Sequence, residues 1–124
     1  MSRCQIMVIE DDQDIREQVK NALEFEGYTV KAATNGKEGL EYLESLGDDE
    51  LPQCILLDLM MPVMSGPEFI QNIRAKDRYQ NINVIIATAK GRQFSPEDIP
   101  GTAKRIQKPF DLDELYSTIE TFCK

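Results

Sequence analysis

The sequence contains no histidine, and this absence excludes several classes of functional site. Catalytic triads, imidazole general bases and histidine-ligated metal centres all require that side chain. Any metal that the protein binds must therefore be held by oxygen ligands. No apolar run approaches the roughly 20 residues that are needed to span a bilayer, so we expect no membrane association.

Basic residues and cysteines are also scarce. The 14 lysines and arginines stand against 22 acidic residues, which gives a net charge of −8. Because a nucleic-acid backbone would repel such a chain, we expect protein or small-molecule partners and no direct nucleic-acid binding. Cys4, Cys54 and Cys123 are odd in number and widely spaced. This pattern favours reduced thiols and a cytoplasmic location over a disulfide framework.

The length of 124 residues suits one domain with its own core, and we interpret residues 1–124 as a single domain. Short apolar runs that predict strands alternate along the chain with helical patterns. The strands are predicted at Ile6–Ile9, Tyr28–Ala32, Cys54–Asp58, Val84–Ala87 and Lys104–Gln107. This alternation is typical of an α/β fold with a parallel sheet that is covered by helices on both faces.

Capping and stop residues mark the predicted helices. Four longer helices are predicted, over residues 13–26 before Gly27, between Asn35 and Gly47, from Ser65 to about Lys76, and after Asp111. A fifth helix begins at Ser95 after the fourth strand, but Pro100 and Gly101 end it after about one turn. Residues 48–52 are predicted to form an exposed acidic loop.

Polar side chains follow the apolar strands at the point where each strand ends. Glu10 and Asp11 follow the first strand, Asp58 closes the third, and Thr88 and Lys108 follow the fourth and fifth. Because parallel strands end at one edge of a sheet, where ligands bind in such folds, we expect these side chains to meet. Clustered carboxylates suit Mg²⁺, which prefers oxygen ligands and keeps several waters. A hydroxyl and an ammonium beside Asp58 suit phosphoryl transfer.

Each of these signals has a plainer structural interpretation when it is taken alone. Asp12 is interpreted as the cap of the first helix, and a single threonine after a strand is usually a turn residue. A single Lys-Pro is usually a strand exit. The conjunction of an acidic pair, a single acid, a hydroxyl and a lysine at successive strand ends favours the functional interpretation.

Four motifs resemble those of the receiver domains of two-component response regulators. They are Ile9-Glu10-Asp11-Asp12, Leu57-Asp58-Leu59-Met60-Met61-Pro62 with Ser65-Gly66, Ala87-Thr88-Ala89, and Lys108-Pro109-Phe110. The motifs occur in the family's order, and the resemblance covers nearly the whole chain. It implies a doubly wound (βα)5 fold with a parallel five-stranded sheet and the flavodoxin-like strand order 2-1-3-4-5.

The resemblance also implies the source of the phosphoryl group and the metal ligands. Asp58 is expected to accept phosphate from a phosphohistidine of a sensor histidine kinase or a histidine phosphotransfer protein. Glu10, Asp11, Asp58 and the main-chain carbonyl of Met60 are expected to hold Mg²⁺. The product would be an aspartyl phosphate, and its hydrolysis would reset the protein. We therefore expect a switch that phosphorylates and dephosphorylates itself rather than a turnover enzyme.

The remaining implied roles concern the read-out. Thr88 and Lys108 are expected to contact the phosphoryl group, and the Lys108-Pro109 bond is expected to be cis. Phosphorylation would then switch the surface around the fourth and fifth βα units toward a downstream protein partner. Arg105 occupies the position three residues before the lysine, where the family often has an aromatic switch residue.

Three other classes of function compete with this interpretation. A phosphatase with an aspartyl-phosphate intermediate needs a second acid two residues after its nucleophile, where this chain has Met60. A flavodoxin-type cofactor binder needs hydroxyls and amides after the first strand, where Glu10-Asp11-Asp12 would repel a phosphate. A pseudo-receiver that is not phosphorylated and acts as an interaction module stays open.

We expect the chain to be either a stand-alone regulator or one domain of a longer protein.

Overall fold

The computed structural model describes residues 4–58, 64, 66–88, 104–107 and 111–122. Within these residues, five strands form one parallel sheet in the order 2-1-3-4-5. The strands are β1 (Gln5–Ile9), β2 (Thr29–Ala33), β3 (Cys54–Asp58), β4 (Asn83–Thr88) and β5 (Lys104–Gln107). The predicted fold class and strand order are confirmed, and every predicted strand is present with its ends shifted by one residue at most.

Four α-helices lie in the described part of the chain. They are α1 (Gln13–Phe25), α2 (Gly36–Ser45), α3 (Gly66–Arg74) and α4 (Leu112–Phe122), with short 3₁₀ turns at Asp48–Glu50 and Asp77–Tyr79. The prediction for residues 48–52 is partly wrong, because the segment contains a 3₁₀ turn and Pro52 is buried. Ser65 and the short helix predicted from Ser95 lie outside the described residues.

The core has two layers because alternate strand residues point to opposite faces of the sheet. On one face, residues such as Met7 and Ile9 pack with apolar residues of α2 and α3. On the other, residues such as Ile6 and Val8 pack with those of α1 and α4. Strands buried on both faces are typical of a parallel sheet. In the three central strands, β1, β3 and β4, polar residues therefore lie only at the ends.

The first two helices begin at the carboxyl edge of the sheet with side-chain caps. Asp12 caps α1 as predicted, because its carboxylate accepts a hydrogen bond of 3.0 Å from the Ile15 amide. Asn35 caps α2 by accepting from the Glu38 amide at 2.8 Å. The Glu38 carboxylate then accepts from the Thr34 amide at 3.1 Å, one residue before the amide that a capping box normally uses. Both helix starts are thereby fixed beside the strand ends.

The third helix ends at Arg74, two residues before the predicted end. Its guanidinium donates to the carbonyls of Tyr79, Gln80 and Ile82. One side chain thus binds the connection that leads into β4. A guanidinium can satisfy several carbonyls at once because its five donors have a fixed planar arrangement.

The cysteines differ from one another. Cys54 is a free, buried thiol, whereas Cys4 is disulfide-bonded. The prediction of reduced thiols is therefore confirmed for Cys54 and wrong for Cys4, and Cys123 lies outside the described residues. In the described part of the chain, none of the helices has the length and apolar character required to cross a bilayer.

Candidate metal centre at the carboxyl edge of the sheet

The strand register brings Glu10 and Asp58 to one edge of the sheet. Ile9, the last residue of β1, pairs with Leu57 of β3, so Glu10 follows β1 at the level where Asp58 closes β3. Asp58 pairs with Ala87 of β4. The three central strands therefore end together, and their last residues or the residues after them form the floor of the site.

Three carboxylates meet at this edge. One oxygen each from Glu10, Asp11 and Asp58 lies within 4.8 Å of the other two. Glu10 is 3% exposed and Asp58 is 7% exposed, while Asp11 is exposed. Taking two carboxylates out of water beside a third is unfavourable unless cationic groups or hydrogen bonds compensate. The cluster is suited to a cation for this reason.

The donor set fits Mg²⁺ in number and chemistry. Mg²⁺ takes octahedral oxygen ligands at about 2.1 Å, so its ligand atoms lie about 3 Å apart when adjacent and about 4 Å apart when opposed. The oxygen atoms of the cluster lie within 4.8 Å of one another, which is near the separation of opposed ligands. No sulfur or nitrogen donor lies in this group, which disfavours softer metals.

The loop that carries the first two acids is bound by main-chain hydrogen bonds. The Glu10 amide donates to the Ala33 carbonyl at 3.1 Å and so extends the pairing of β1 with β2. The Asp12 amide donates to the Glu10 carboxylate at 3.3 Å. The Asp12 amide thus contacts the cluster, while its side chain caps α1 as predicted.

Arg16 also contacts this loop, and its role was not predicted from the sequence. Its Nη1 atom donates to the Glu10 carbonyl at 2.8 Å and to the Asp11 carbonyl at 3.3 Å. The spacing offers a signal only in retrospect, because an arginine in the first turns of a helix can reach the carbonyls just before that helix. A basic residue there is more often simply solvated.

The structure does not describe every predicted site residue. The backbone of Thr88 ends β4 and pairs with Gln107, the last residue of β5. The Thr88 hydroxyl, the Lys108 side chain, the Lys108-Pro109 bond and the Met60 carbonyl lie outside the described part. Their predicted roles stay predictions.

The sequence matches the family described as the response regulator receiver domain over residues 6–120. The chain belongs to this family. The match includes residues of all five strands of the sheet and the carboxylate cluster, so one family assignment covers both the fold and the cluster. Members of this family are phosphoacceptor domains that receive phosphate from sensor histidine kinases.

Two curated relatives show how the receiver domain compares in length with other proteins. Response regulator Rre1 of Synechocystis is 32% identical over 92% of this chain, which covers 49% of Rre1. An uncharacterised 14.6 kDa protein of Leptolyngbya boryana is 32% identical over 99% of this chain and 92% of its own length. The receiver domain thus spans about half of the first relative and nearly all of the second.

A solved receiver domain shares the fold. The receiver domain of the sensor histidine kinase PA1611 from Pseudomonas aeruginosa has a TM-score of 0.85, with 24% identity and 98% of each chain covered. At this identity the likeness concerns the fold alone. The same order of strands and helices therefore accommodates considerable sequence divergence.

Family membership decides between the competing interpretations. The response-regulator assignment stands, and the interaction module without phosphorylation is not favoured. Arg105, which the resemblance places at the switch position, is exposed on β5. It pairs through the backbone with Ile86 of β4. The surface next to the predicted switch therefore carries an exposed positive charge.

Proposed function

We propose that Asp58 accepts a phosphoryl group from a phosphohistidine of a sensor histidine kinase or a histidine phosphotransfer protein. We propose further that residues 1–124 form the single domain that carries out this reaction. The observation that carries the proposal is the convergence of the Glu10, Asp11 and Asp58 carboxylates within 4.8 Å. An isolated structural acid at the end of β3 would not need two further acids from another strand.

The metal in this proposal is Mg²⁺, held by Glu10, Asp11, Asp58 and the main-chain carbonyl of Met60. When bound, Mg²⁺ offsets negative charge on the phosphoryl oxygens. The oxygen-only donor set and the burial of two of its acids support this assignment. The PA1611 receiver domain is described with a magnesium ion coordinated in its active site cleft, which is consistent with the same ion here.

The chain's own part in the chemistry is nucleophilic attack and positioning. An Asp58 oxygen bonds to phosphorus while the bond between phosphorus and the donor's imidazole nitrogen breaks, and the released imidazole takes a proton from solvent. Thr88 and Lys108 contact the transferred group. Water later cleaves the acyl phosphate to carboxylate and inorganic phosphate, so the domain is a switch that resets itself rather than a turnover enzyme.

The read-out proposed for this switch is a change of surface. A phosphoryl group on Asp58 attracts Thr88 and Lys108 and so biases a two-state equilibrium in the fourth and fifth βα units. The exposed Arg105 on β5 belongs to this surface. The partner that binds there is proposed to be a protein, because a net charge of −8 opposes direct binding to nucleic acid.

A phosphorylation assay tests the proposal. The protein is incubated with phosphoramidate and Mg²⁺, and its intact mass is measured. We expect a gain of one phosphoryl group, which disappears in Asp58→Asn and when EDTA removes the metal. Asp11→Asn should raise the Mg²⁺ concentration required for half-maximal phosphorylation by at least about tenfold, since loss of a group that only orients a metal ligand already costs about that much.

Asp12→Asn provides a matched control in the same loop. Asparagine caps a helix as well as aspartate does, and Asp12 contributes to the cap of α1 rather than to the carboxylate cluster. This variant should therefore be phosphorylated like the wild type. Phosphorylation that persists in Asp58→Asn would overturn the assignment of the acceptor. Complete absence of phosphorylation in the wild type would favour the interaction module.

A further inference from the structure

One residue binds three successive carbonyls of the acidic loop. The Arg16 side chain donates to the carbonyls of Glu10 and Asp11, and its backbone amide donates to the Asp12 carbonyl at 2.9 Å. Two of these three residues contribute carboxylates to the cluster with Asp58. Arg16 therefore connects α1 directly to the backbone that carries the proposed metal ligands.

The hydrogen bond from Arg16 matters most at Asp11, because the two neighbouring residues are also held by other contacts. Glu10 is tied to β2 through its amide, and Asp12 is tied to α1 through its side chain and its carbonyl. Asp11 lies between them and is exposed. Its main-chain carbonyl accepts the hydrogen bond from Arg16 at 3.3 Å, so the guanidinium helps to fix the direction of this peptide unit.

From this geometry, and on the basis of the function proposed above, we infer that Arg16 is a positioning residue for Mg²⁺. It holds the carbonyls of Glu10 and Asp11 so that both carboxylates face Asp58. Groups that orient metal ligands without touching the metal typically contribute about 10- to 100-fold to metal affinity. The orienting contact here is made through main-chain carbonyls rather than through the carboxylates.

The charge of Arg16 acts in the opposite direction and has to be separated from its positioning effect. A nearby cation repels Mg²⁺, so its removal alone would strengthen metal binding. Arg16 is only partly buried, and this repulsion is therefore screened by salt. At about 0.5 M salt the Debye length falls to about 4 Å. Measurements at this ionic strength leave mainly the geometric effect.

The test compares the Mg²⁺ dissociation constants of variants of the whole chain by isothermal titration calorimetry. Arg16→Met retains the apolar stem and the helix propensity but loses every donor. We expect it to weaken Mg²⁺ binding by about tenfold at high salt. Arg16→Lys keeps the charge and one compact donor group, and we expect it to restore part of the affinity.

Arg74→Met is the matched control. Arg74 also donates its guanidinium to main-chain carbonyls, but it does so between α3 and β4, at the other end of the sheet. This variant should have a lower free energy of unfolding and a Mg²⁺ affinity within about twofold of the wild type, because a residue orients a metal ligand only when it contacts that ligand or its supporting backbone. The two arginines thus separate metal positioning from general stabilisation.

The outcomes distinguish the positioning role from the proposed function. If the wild type binds Mg²⁺ and Arg16→Met binds it equally well at high salt, the role of Arg16 is overturned while the metal site stands. If Arg74→Met weakens binding as much as Arg16→Met does, the effect is general destabilisation and the inference also fails. If the wild type binds no Mg²⁺, the proposed function fails together with the inference.

Discussion

A Cβ atom on Gly39 would lie 2.7 Å from the Cδ1 atom of Ile9. Gly39 is a buried residue of α2, and Ile9 is the last residue of β1, directly before Glu10. The absence of a side chain at residue 39 therefore allows α2 to approach the strand that leads into the carboxylate cluster. Helix and strand packing next to the site depends on this close approach.

We predict that Gly39→Ala destabilises the domain. Alanine improves helix propensity by about 1 kcal/mol, but overpacking a filled core typically costs about 1–3 kcal/mol. Ile9 is completely buried, so its Cδ1 atom has little room to move. We expect a net loss of about 1 kcal/mol in the free energy of unfolding, measured by urea denaturation.

The same contact supplies a control. Ile9→Val removes the Cδ1 atom, so Gly39→Ala should become neutral or stabilising in that background, where only the propensity gain remains. The double-mutant cycle should therefore show a coupling of about 1–2 kcal/mol between the two positions, the difference between a loss in the wild type and no change or a gain in the Ile9→Val background. Equal costs of Gly39→Ala in the two backgrounds would show that the close contact is not responsible.

A second prediction concerns Gly27, at the end of α1. Its φ of 97° is a left-handed conformation. The Gly27 amide donates to the Glu24 carbonyl and the Tyr28 amide donates to the Leu23 carbonyl, which is the Schellman pattern. We expect Gly27→Ala to lower the free energy of unfolding by about 1 kcal/mol, because an L-residue is strained there. Thermal and urea denaturation measure the loss.

Gly47 is the matched control for Gly27. Its φ is −73°, a conformation that any residue adopts. An added Cβ would approach the ends of the flexible Glu50 and Asp49 side chains at 3.1 and 3.2 Å. Gly47→Ala should thus be close to neutral, and an equal loss in both variants would argue against the backbone explanation.

Two buried hydroxyls lead to a third prediction. Within the described residues, the Tyr79 hydroxyl and the Thr118 Oγ1 atom are buried without a hydrogen-bond partner. A buried unsatisfied polar group costs about 1–3 kcal/mol. Tyr79→Phe and Thr118→Val remove the hydroxyl and keep the shape, so both should leave the stability unchanged or raise it. A loss of more than about 1 kcal/mol in either variant would reveal a partner for that hydroxyl.

Much of the fold could be predicted because local signals and the apolar pattern agree. The runs from Ile6 to Ile9 and from Cys54 to Asp58 are apolar enough to be buried on both faces, which allows only a central strand of a covered sheet. Asp12, Asn35 and Gly27 carry capping signals that depend on neighbours in sequence. The clustering of Glu10, Asp11 and Asp58 followed from topology, since parallel strands place their last residues at one edge.

The features that could not be predicted depend on how the elements are placed in three dimensions. The reach of Arg16 back to the Glu10 and Asp11 carbonyls depends on the angle between β1 and α1, which no local pattern specifies. Arg74, the last residue of α3, likewise donates to carbonyls of the segment that follows the helix. These carbonyls come within reach only after the chain has turned back toward β4. The disulfide of Cys4 was missed because widely spaced cysteines carry no local information about pairing.

The buried thiol of Cys54 makes stability depend on alkaline pH. Burial raises the pKa of this thiol from its ordinary value of 9.0 to about 12. The folded protein therefore retains the proton over a range in which the unfolded chain loses it. Because the unfolded state binds fewer protons there, the free energy of unfolding must fall as pH rises.

We predict that this thiol alone lowers the free energy of unfolding by about 1.4 kcal/mol for each pH unit between 9.0 and about 12. Other groups also titrate in this range, so the measurement is the difference in slope between the wild type and Cys54→Ala in urea denaturation at several pH values. The alanine variant should be less stable at neutral pH, because it leaves a cavity, but less sensitive to alkali. Parallel slopes would mean that the thiol ionises in the folded protein as readily as in the unfolded chain, and would contradict its burial between the sheet and its covering helices.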